Sequence, residues 1–360
     1  MTFDQEASVS KPATPKSRNA LGDISLLYVS VLLRAASEEG ADAMALARQF
    51  HLEETALASP EARISIPRFM RMGNAAIRLT GNRALGLRMG ALSRPIDAGL
   101  AGLAAETAPT VGQALVTLVR YSRLTSQNSR GHPDSVPDKR DVCFYSISPY
   151  NDFNYFVVDS VLAAWTQLAR TLAGRYDVLE RVRIEYPSIG LDELFESWFR
   201  CPVEFGATEN SLRLKSSAWH QPSKESQAAM HEQLCMLCDH ELEKIMRGWS
   251  TADRVRHLMT PLFRGETPGL ETVAARLGTS PWTLQRQLAA ERTNFRLLLD
   301  ETRRQLALDY LKETNSSLSE IAWLLGFANP PAFHKAHQRW FGVSPGEHRR
   351  QLKMRMESGG

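Results

Sequence analysis

Cysteine is scarce in this chain: Cys143, Cys201, Cys235 and Cys238 are the four in 360 residues. So few, so scattered, exclude a disulfide framework, and a reducing cytoplasm is the expected compartment. Long apolar runs are missing as well, since none approaches the roughly 18–20 residues of a membrane span. The N-terminus carries Asp4, Glu6 and then Lys11-Pro12-Ala13-Thr14-Pro15-Lys16, without the apolar centre of a secretory signal. Charge of one sign is in short supply too, and a net charge of +3 by itself points to no partner. No nucleophile elbow, phosphate loop or dinucleotide fingerprint occurs, and Gly81-Asn82 and Gly99–Gly102 stand isolated. The chain is therefore expected to be neither an enzyme nor a cofactor carrier.

His231, Cys235, Cys238 and His240 form the one metal-like cluster. The first three fall at i, i+4 and i+7, a single stripe of a helix. One stripe does not enclose a metal, and a second ligand pair on another element is missing. A packed, cysteine-bearing helix face is expected there, and no metal site.

The length allows two domains, each with its own core. Residues 1–20 are polar and Pro/Ser-rich, and disorder is expected. Apolar periodicity predicts helices from Leu26 to near Gly40, and over 42–50, 67–80, 111–124 and 154–173. Alternation predicts strands at Val142–Ile147 and Val182–Tyr186, with shorter ones at Val203–Phe205 and Leu212–Leu214 and a short helix over Leu191–Trp198. Strands interleaved with helices imply an α/β or α+β domain over 21–224. The polar helix expected from about 225 to 248 suits a connector, so that 225–251 joins the two halves. Tyr145, Tyr155 and Trp165 suit a pocket and a core equally well, and no effector contact is assigned to them.

What the chain does have is one helical device written twice. The first copy runs from Leu270 through Ala274, Gly278, Ser280 and Pro281 to Leu288. The second runs from Leu318 through Ala322, Gly326, Asn329 and Pro330 to His337. In each, a short apolar-periodic helix with a small inner Ala meets a Gly where the turn favours φ > 0. A polar capping residue and a proline then open a second helix with basic side chains. That is the grammar of a helix-turn-helix, whose second helix enters a DNA major groove. Residues 250–360 hold 16 Lys/Arg against 11 Asp/Glu, whereas the remainder holds 27 against 29. The basic excess thus sits where phosphates would be met. Between the copies, Phe295, Leu298, Leu299, Leu306, Tyr310 and Leu311 predict one helix over 294–313. At about 1.5 Å per residue it is a rod of roughly 30 Å, near the roughly 34 Å between successive major grooves.

The blocks Glu301–Ala307, Ile321–Phe327 and Arg339–Pro345 occur in order at the spacing of the AraC/XylS family of bacterial transcription regulators, which residues 252–350 resemble. Upstream, Cys201-Pro202-Val203-Glu204-Phe205-Gly206-Ala207 followed by Asn210-Ser211-Leu212 resembles the larger sensor domain of one subgroup, labelled arabinose-binding. The resemblance implies an all-α C-terminal domain with two helix-turn-helix motifs joined by a long helix. It implies base contacts from Trp282, Gln285 and Arg286: Arg286 to guanine, Gln285 to adenine, Trp282 to a thymine methyl. The DNA-facing set is completed by Ser280, Thr283, Asn329, His334, Lys335 and Arg339.

The second copy departs from the family pattern. Lys335 replaces the usual Arg, Pro330-Pro331 occupy positions that are often polar, and His337 stands where Phe is preferred. Arg292 sits where the first recognition helix usually ends in Gly. The first head is therefore expected to read bases and the second to position the backbone. Trp340, Phe327 and Phe333 are expected in the core. The implied partners are double-stranded DNA at two successive major grooves, RNA polymerase, a small-molecule effector and a second copy of the chain. The implied function is an effector-controlled regulator, an activator; the alternative is an architectural DNA-binding protein whose N-terminal domain only oligomerises. Residues 351–360 are expected to be a disordered tail.

Overall fold

The computed structural model describes residues 22–57, 59, 62–128, 133–147, 150–246, 250–263, 265–314 and 316–358. The expected N-terminal tail, residues 1–20, lies outside them.

The N-terminal half opens with β1 (Gly22–Ser25), and Ser25 accepts the Leu27 N–H to start α1 (Leu26–Glu38). Then follow α2 (Ala43–Gln49), α3 (Glu54–Leu57), β2 (Arg63–Ser65), α4 (Ile66–Thr80), α5 (Leu85–Leu92), α6 (Gly99–Glu106) and α7 (Val111–Arg120). The chain continues through α8 (Ser122–Thr125), β3 (Ser126–Asn128), β4 (Asp134–Val136), β5 (Asp141–Phe144) and the long α9 (Tyr155–Ala173). It closes with β6 (Leu179–Ile184), α10 (Asp192–Phe199), β7 (Val203–Phe205), β8 (Asn210–Leu214), α11 (Ser216–Trp219) and α12 (Ala228–Met246).

The strands form two sheets, ordered β2-β1-β3 and β4-β5-β8-β6-β7. Every pairing is antiparallel except β6 with β7, which α10 connects. Of the two fold classes expected, the antiparallel sheets identify α+β. The helix α9 is buried on almost all sides, by Phe156, Val158, Leu162, Ala163 and Leu172 among others. The helix α5 crosses it at glycine contact distance: a Cβ on Gly90 would lie 2.1 Å from Ala163 Cβ, and one on Gly86 2.6 Å from Asp159 Cβ.

Several boundaries differ from the sequence reading. The helix expected over 111–124 breaks at Tyr121, and the strand expected to reach Ile147 ends at Phe144. The first sheet, α5 and α6 were not anticipated, because their segments are short or rich in Gly and Ala, with no apolar period to see. The connector is not free. Instead α12 lies against α6 and α8 and buries Cys238 beside Ala101, Ala104 and Tyr121. Asp239 on α12 accepts from the Tyr121 hydroxyl at 3.1 Å and from Arg120 at 3.1 Å.

The C-terminal half is helical: α13 (Thr251–Met259), α14 (Leu270–Arg276), α15 (Pro281–Ala290), α16 (Phe295–Glu313), α17 (Leu318–Leu324), α18 (Pro330–Phe341) and α19 (Pro345–Ser358). Ser250 and Asp253 form a capping box that starts α13. Glu291, at the end of α15, accepts the Thr251 and Ala252 N–H groups at 2.6 and 2.9 Å. The tail expected to be disordered from 351 is corrected as far as Ser358: those residues continue α19, whose Arg349 donates to Ser316 O at 2.5 Å. No helix among the described residues is long and apolar enough to cross a membrane.

Candidate functional site

Two turns of the same construction create the two heads. At the first, Gly278 has φ 66°, its N–H donates to Ala275 O, and the Thr279 N–H donates to Ala274 O at 3.0 Å. At the second, Gly326 has φ 66°, its N–H donates to Trp323 O, and the Phe327 N–H donates to Ala322 O at 3.0 Å. Left-handed glycine closes each first helix and aims the chain into the next. Ala274 and Ala322 are buried at the helix crossings.

In α15, Ser280 Oγ accepts the Thr283 N–H at 3.1 Å and lies 2.9 Å from Thr283 Oγ1. Both residues are thereby engaged in capping. Leu284 and Leu288 face inward and are fully buried, which turns Trp282, Gln285 and Arg286 outward. Trp282 is 66% exposed, and the Arg286 guanidinium sits over its ring at 4.9 Å. An indole left in water at a helix N-terminus is unusual unless a partner covers it. The cation–π contact holds Arg286 in one orientation before any partner arrives.

In α18, Asn329 Oδ1 accepts the Ala332 N–H at 2.9 Å. Phe333, Ala336 and His337 face inward, while His334, Lys335 and Gln338 are exposed. With Pro330 and Pro331 at the first two positions, this helix lacks the amide donors that usually meet an anion there. Its counterpart in α15 keeps the Trp282 amide.

His337 is buried among Phe333, Phe341 and His348, with ring centroids at 5.8, 4.7 and 5.2 Å. Its Nδ1 lies 2.9 Å from Val343 O. Burial pulls its pKa below the ordinary histidine value, against the raising influence of that carbonyl. A neutral imidazole therefore does the packing of the family's Phe. Arg339 remains exposed on α18 and pairs with Asp300 on α16 at 2.6 Å, and Trp340 Nε1 donates to the same carboxylate at 2.9 Å. Phe333 is fully buried, and Phe327 and Trp340 are half-buried around it.

One residue within the block Glu301–Ala307 joins the heads. Arg303, midway along α16, donates to Leu325 O at 2.8 Å, Gly326 O at 2.9 Å and Thr267 Oγ1 at 2.6 Å. Thr267 in turn donates to Gly326 O. The Arg303 guanidinium lies 4.8 Å from the Phe327 ring, and burial lowers its pKa. The loop leading into α14 is thus pinned to the turn between α17 and α18. A Cβ on Gly326 would meet Glu266 O at 2.6 Å, whereas one on Gly278 would meet nothing within 4 Å. The sequence offered no signal for this, since an arginine on a long polar helix reads as surface.

The N-terminal half holds a partly open cavity of about 130 Å³ between α1, α4, α6, α8 and α9. Tyr28, Phe69, Phe144, Trp165 and Leu168 form much of its wall, and Asp97 and Ser122 are also on its lining. Trp165 lines the cavity, and Tyr155 stacks on Tyr186 at 4.5 Å. No cluster of three or more His, Cys, Asp or Glu able to hold a metal occurs among the described residues, and the four cysteines are free. In the helix stripe, His231 Nδ1 lies 2.7 Å from Ala104 O and Cys235 Sγ lies 3.7 Å from His231 Nε2. Burial raises the Cys238 pKa to about 12, which keeps it a thiol.

Residues 40–223 match the family described as the arabinose-binding domain of AraC transcription regulator, N-terminal, and residues 273–351 match a helix-turn-helix domain. The ornithine utilization regulator of Pseudomonas aeruginosa is 26% identical over 332 residues, covering 91% of this chain and 96% of that protein. The regulator VirS of Mycobacterium tuberculosis is 26% identical over 321 residues, covering 87% of this chain and 92% of its own length. Among solved structures, the transcriptional regulator CdpR of Pseudomonas aeruginosa aligns over 88% of this chain and 97% of its own, with 23% identity and a TM-score of 0.41. These relatives are transcription regulators and not enzymes. With its sensor-type N-terminal domain and paired helix-turn-helix motifs, the chain belongs to the AraC family of DNA-binding transcription regulators.

Proposed function

We propose that this regulator is an activator that works as a homodimer in the cytoplasm, recruits RNA polymerase, and is switched by a small molecule held in the N-terminal cavity. Residues 21–224, together with the docked α12, sense the molecule. Residues 252–350 bind two successive major grooves. The first head reads bases: Arg286 pairs with guanine, Gln285 with adenine, and Trp282 packs on a thymine methyl. Ser280 and Thr283 hold the start of α15 against the backbone, and Asn329 does the same for α18. The second head contributes phosphate contacts through His334 and Lys335 and not through helix amides, because Pro330 and Pro331 have none to give. Arg339, exposed beside Asp300, adds a phosphate contact.

The observation that carries the DNA reading is the outward face of α15, where exposed Trp282 and Arg286 are stacked and Leu284 and Leu288 lock the opposite side. The 19 residues of α16 span about 28 Å at 1.5 Å each, in keeping with heads one helical turn apart. Effector control is supported by neighbouring residues on α8 and just before it. Ser122 reaches the cavity, while the Tyr121 hydroxyl holds Asp239 of α12, the helix that leads to the DNA-binding half. A molecule bound in the cavity beside α8 bears on the seat of α12 and shifts the population of domain arrangements.

The test begins with duplexes selected from a random pool by the full chain. Arg286→Ala is expected to weaken the selected site by about 1–3 kcal/mol in gel-shift titration and to relax its sequence preference. Lys335→Ala is expected to weaken all duplexes alike and to reduce the salt slope by about one. Unchanged affinity in Arg286→Ala removes the base-reading role. A reporter carrying the selected site distinguishes activation from repression, and an N-terminal half that serves only to oligomerise leaves its output constant under all growth conditions.

A further inference from the structure

The charges beside the cavity are unbalanced. We infer that the effector is a monoanion, a carboxylate carried on an apolar body about the bulk of one aromatic ring, with the carboxylate at Arg94 and the body against α9. The inference rests on the effector-controlled reading above.

The walls select the body. Val157, Val161, Ala164 and Leu168 recur at helical spacing along α9 and all line the space, and Phe69 and Trp165 add flat aromatic surface. Three hydroxyls on the lining have already given their protons: Ser93 to Met89 O at 2.9 Å, Tyr28 to Ser160 Oγ at 3.0 Å and Thr125 to Ala98 O at 3.2 Å. A sugar, with hydroxyls on every side, would leave most of them unpaired against such walls. The volume of about 130 Å³ is near the roughly 150 Å³ of an apolar cavity that takes up benzene, so one ring or a chain of like bulk fills it. Because the cavity is partly open, one end of its occupant keeps contact with water.

The charged groups select the head. Among the described residues, Arg94 and Asp97 are the charged side chains on the lining. Asp97 is buried and accepts from Arg34 at 2.6 Å, from the Arg94 N–H at 2.8 Å and from the Arg94 guanidinium at 3.3 Å. Two guanidinium groups thus share one carboxylate, and the cluster keeps one positive charge in excess. Arg34 also donates to Leu92 O at 2.9 Å. The Arg94 side chain is 64% exposed, which places it on the open side of the cavity, and the 3.3 Å contact engages one of its donors. Guanidinium has five N–H donors, so a planar carboxylate finds others free to receive it. On α8, Arg123 adds to the excess: it pairs with no carboxylate among the described residues, and burial lowers its pKa with no acidic neighbour to raise it. A carboxylate beside Arg94 keeps part of its hydration and so escapes the full cost of burying an ion. An ammonium in the same place meets like charge, which disfavours amines and the amino end of an α-amino acid.

The test is calorimetry and thermal unfolding of the full chain with three compounds that share one body: 3-phenylpropionate, its neutral amide 3-phenylpropionamide, and the cation 3-phenylpropylamine. The propionate is expected to bind about tenfold more tightly than the amide and to raise the melting temperature, while the amine leaves the transition where it was. Added salt is expected to weaken the propionate and not the amide. Arg94→Gln is expected to weaken the propionate about tenfold and leave the amide unchanged, Arg94→Lys to retain the preference, and Arg94→Glu to reverse the order of propionate and amine. Ala164→Phe and Val161→Phe, two separate ways of filling the cavity, are expected to abolish binding in whichever of them folds. An amide that binds as tightly as the propionate, or a propionate that does not bind at millimolar concentration, overturns the ligand class. A preference for the anion that persists in both Arg94→Gln and Arg94→Glu overturns the place of the head, and binding that survives both filled cavities overturns the place of the body. The effector reading fails separately: it falls if the filled variants, still folded and binding DNA, leave reporter output like wild type under every condition. A reporter response lost in them, combined with no anion preference in the wild type, overturns the ligand class alone.

Discussion

Arg292 closes the first recognition helix in the left-handed conformation in which Gly342 closes the second, with φ 57° and 75°. The Arg292 N–H donates to Ala289 O and the Thr293 N–H to Leu288 O, so the arginine makes the same helix stop that glycine makes without a Cβ penalty. Arg292→Gly is expected to stabilise the chain by about 0.5–1 kcal/mol, the relief of left-handed strain exceeding the added freedom of the unfolded glycine. The check is the denaturation midpoint, with operator affinity as a control. A lower midpoint contradicts the argument.

Gly90→Ala tests the contact between α5 and α9. Helix propensity alone favours Ala by about 1 kcal/mol. The new Cβ, however, would stand 2.1 Å from Ala163 Cβ and 2.8 Å from its Cα. Neither atom is the end of a flexible side chain. Overpacking is expected to win, with a net loss of about 1–3 kcal/mol and a lower melting temperature.

Asp159 gives the N-terminal half a pH dependence. It is buried on α9, accepts from the Tyr186 hydroxyl through Oδ1, and has no partner for Oδ2 among the described residues. Burial raises its pKa to about 8, with the Tyr186 hydrogen bond opposing. Between about pH 4 and pH 8 the folded carboxyl keeps its proton while the unfolded one has lost it. Its contribution to stability is therefore intact at about pH 4 and falls as pH rises, levelling above about 8. Asp159→Asn keeps the shape and the acceptor. It is expected to flatten that decline and to be more stable than wild type at pH 8, by on the order of 2–5 kcal/mol. Urea midpoints at pH 5 and pH 8 measure it, and equal slopes in both proteins rule the account out.

Arg303→Ala separates the two heads. The guanidinium's three hydrogen bonds to the Leu325 and Gly326 carbonyls and Thr267 are lost together. A stability loss of about 2–3 kcal/mol is expected, the scale of hydrogen bonds to a buried charged group. Binding to a two-groove site is expected to fall much more than binding to a duplex carrying only the half-site read by α15. Equal loss on both duplexes would falsify the idea that Arg303 couples the heads.

Much of the C-terminal half was legible because its signals are local. Gly278 and Gly326 at positive φ, the caps at Ser280 and Asn329, and the inward Ala274 and Ala322 are each settled within a few residues, and all stand where the pattern implied. The α16 helix was legible for the same reason, from Leu298, Leu306 and Leu311. In the N-terminal half, α9 and the longer strands were visible through their period. By contrast α5 and α6 were hidden, because Gly86, Gly90 and Gly102 are small so that neighbours can approach, and closeness leaves no period.

The sequence by itself determined the double helical device with its turns and caps, because those depend on spacing over a few residues, and the outward set Trp282, Gln285 and Arg286 was implied by the family resemblance. Only the tertiary structure decided what distant chain segments do to each other. It set Arg339 beside Asp300, made Arg303 the joint between the heads, and buried His337 as a neutral ring. It also docked α12 on the sensor half and gathered α1, α4 and α9 around a largely apolar cavity. A side chain's type fixes what it can bond, but its partner is fixed by packing across the fold, and the partner separates a DNA contact from a strut.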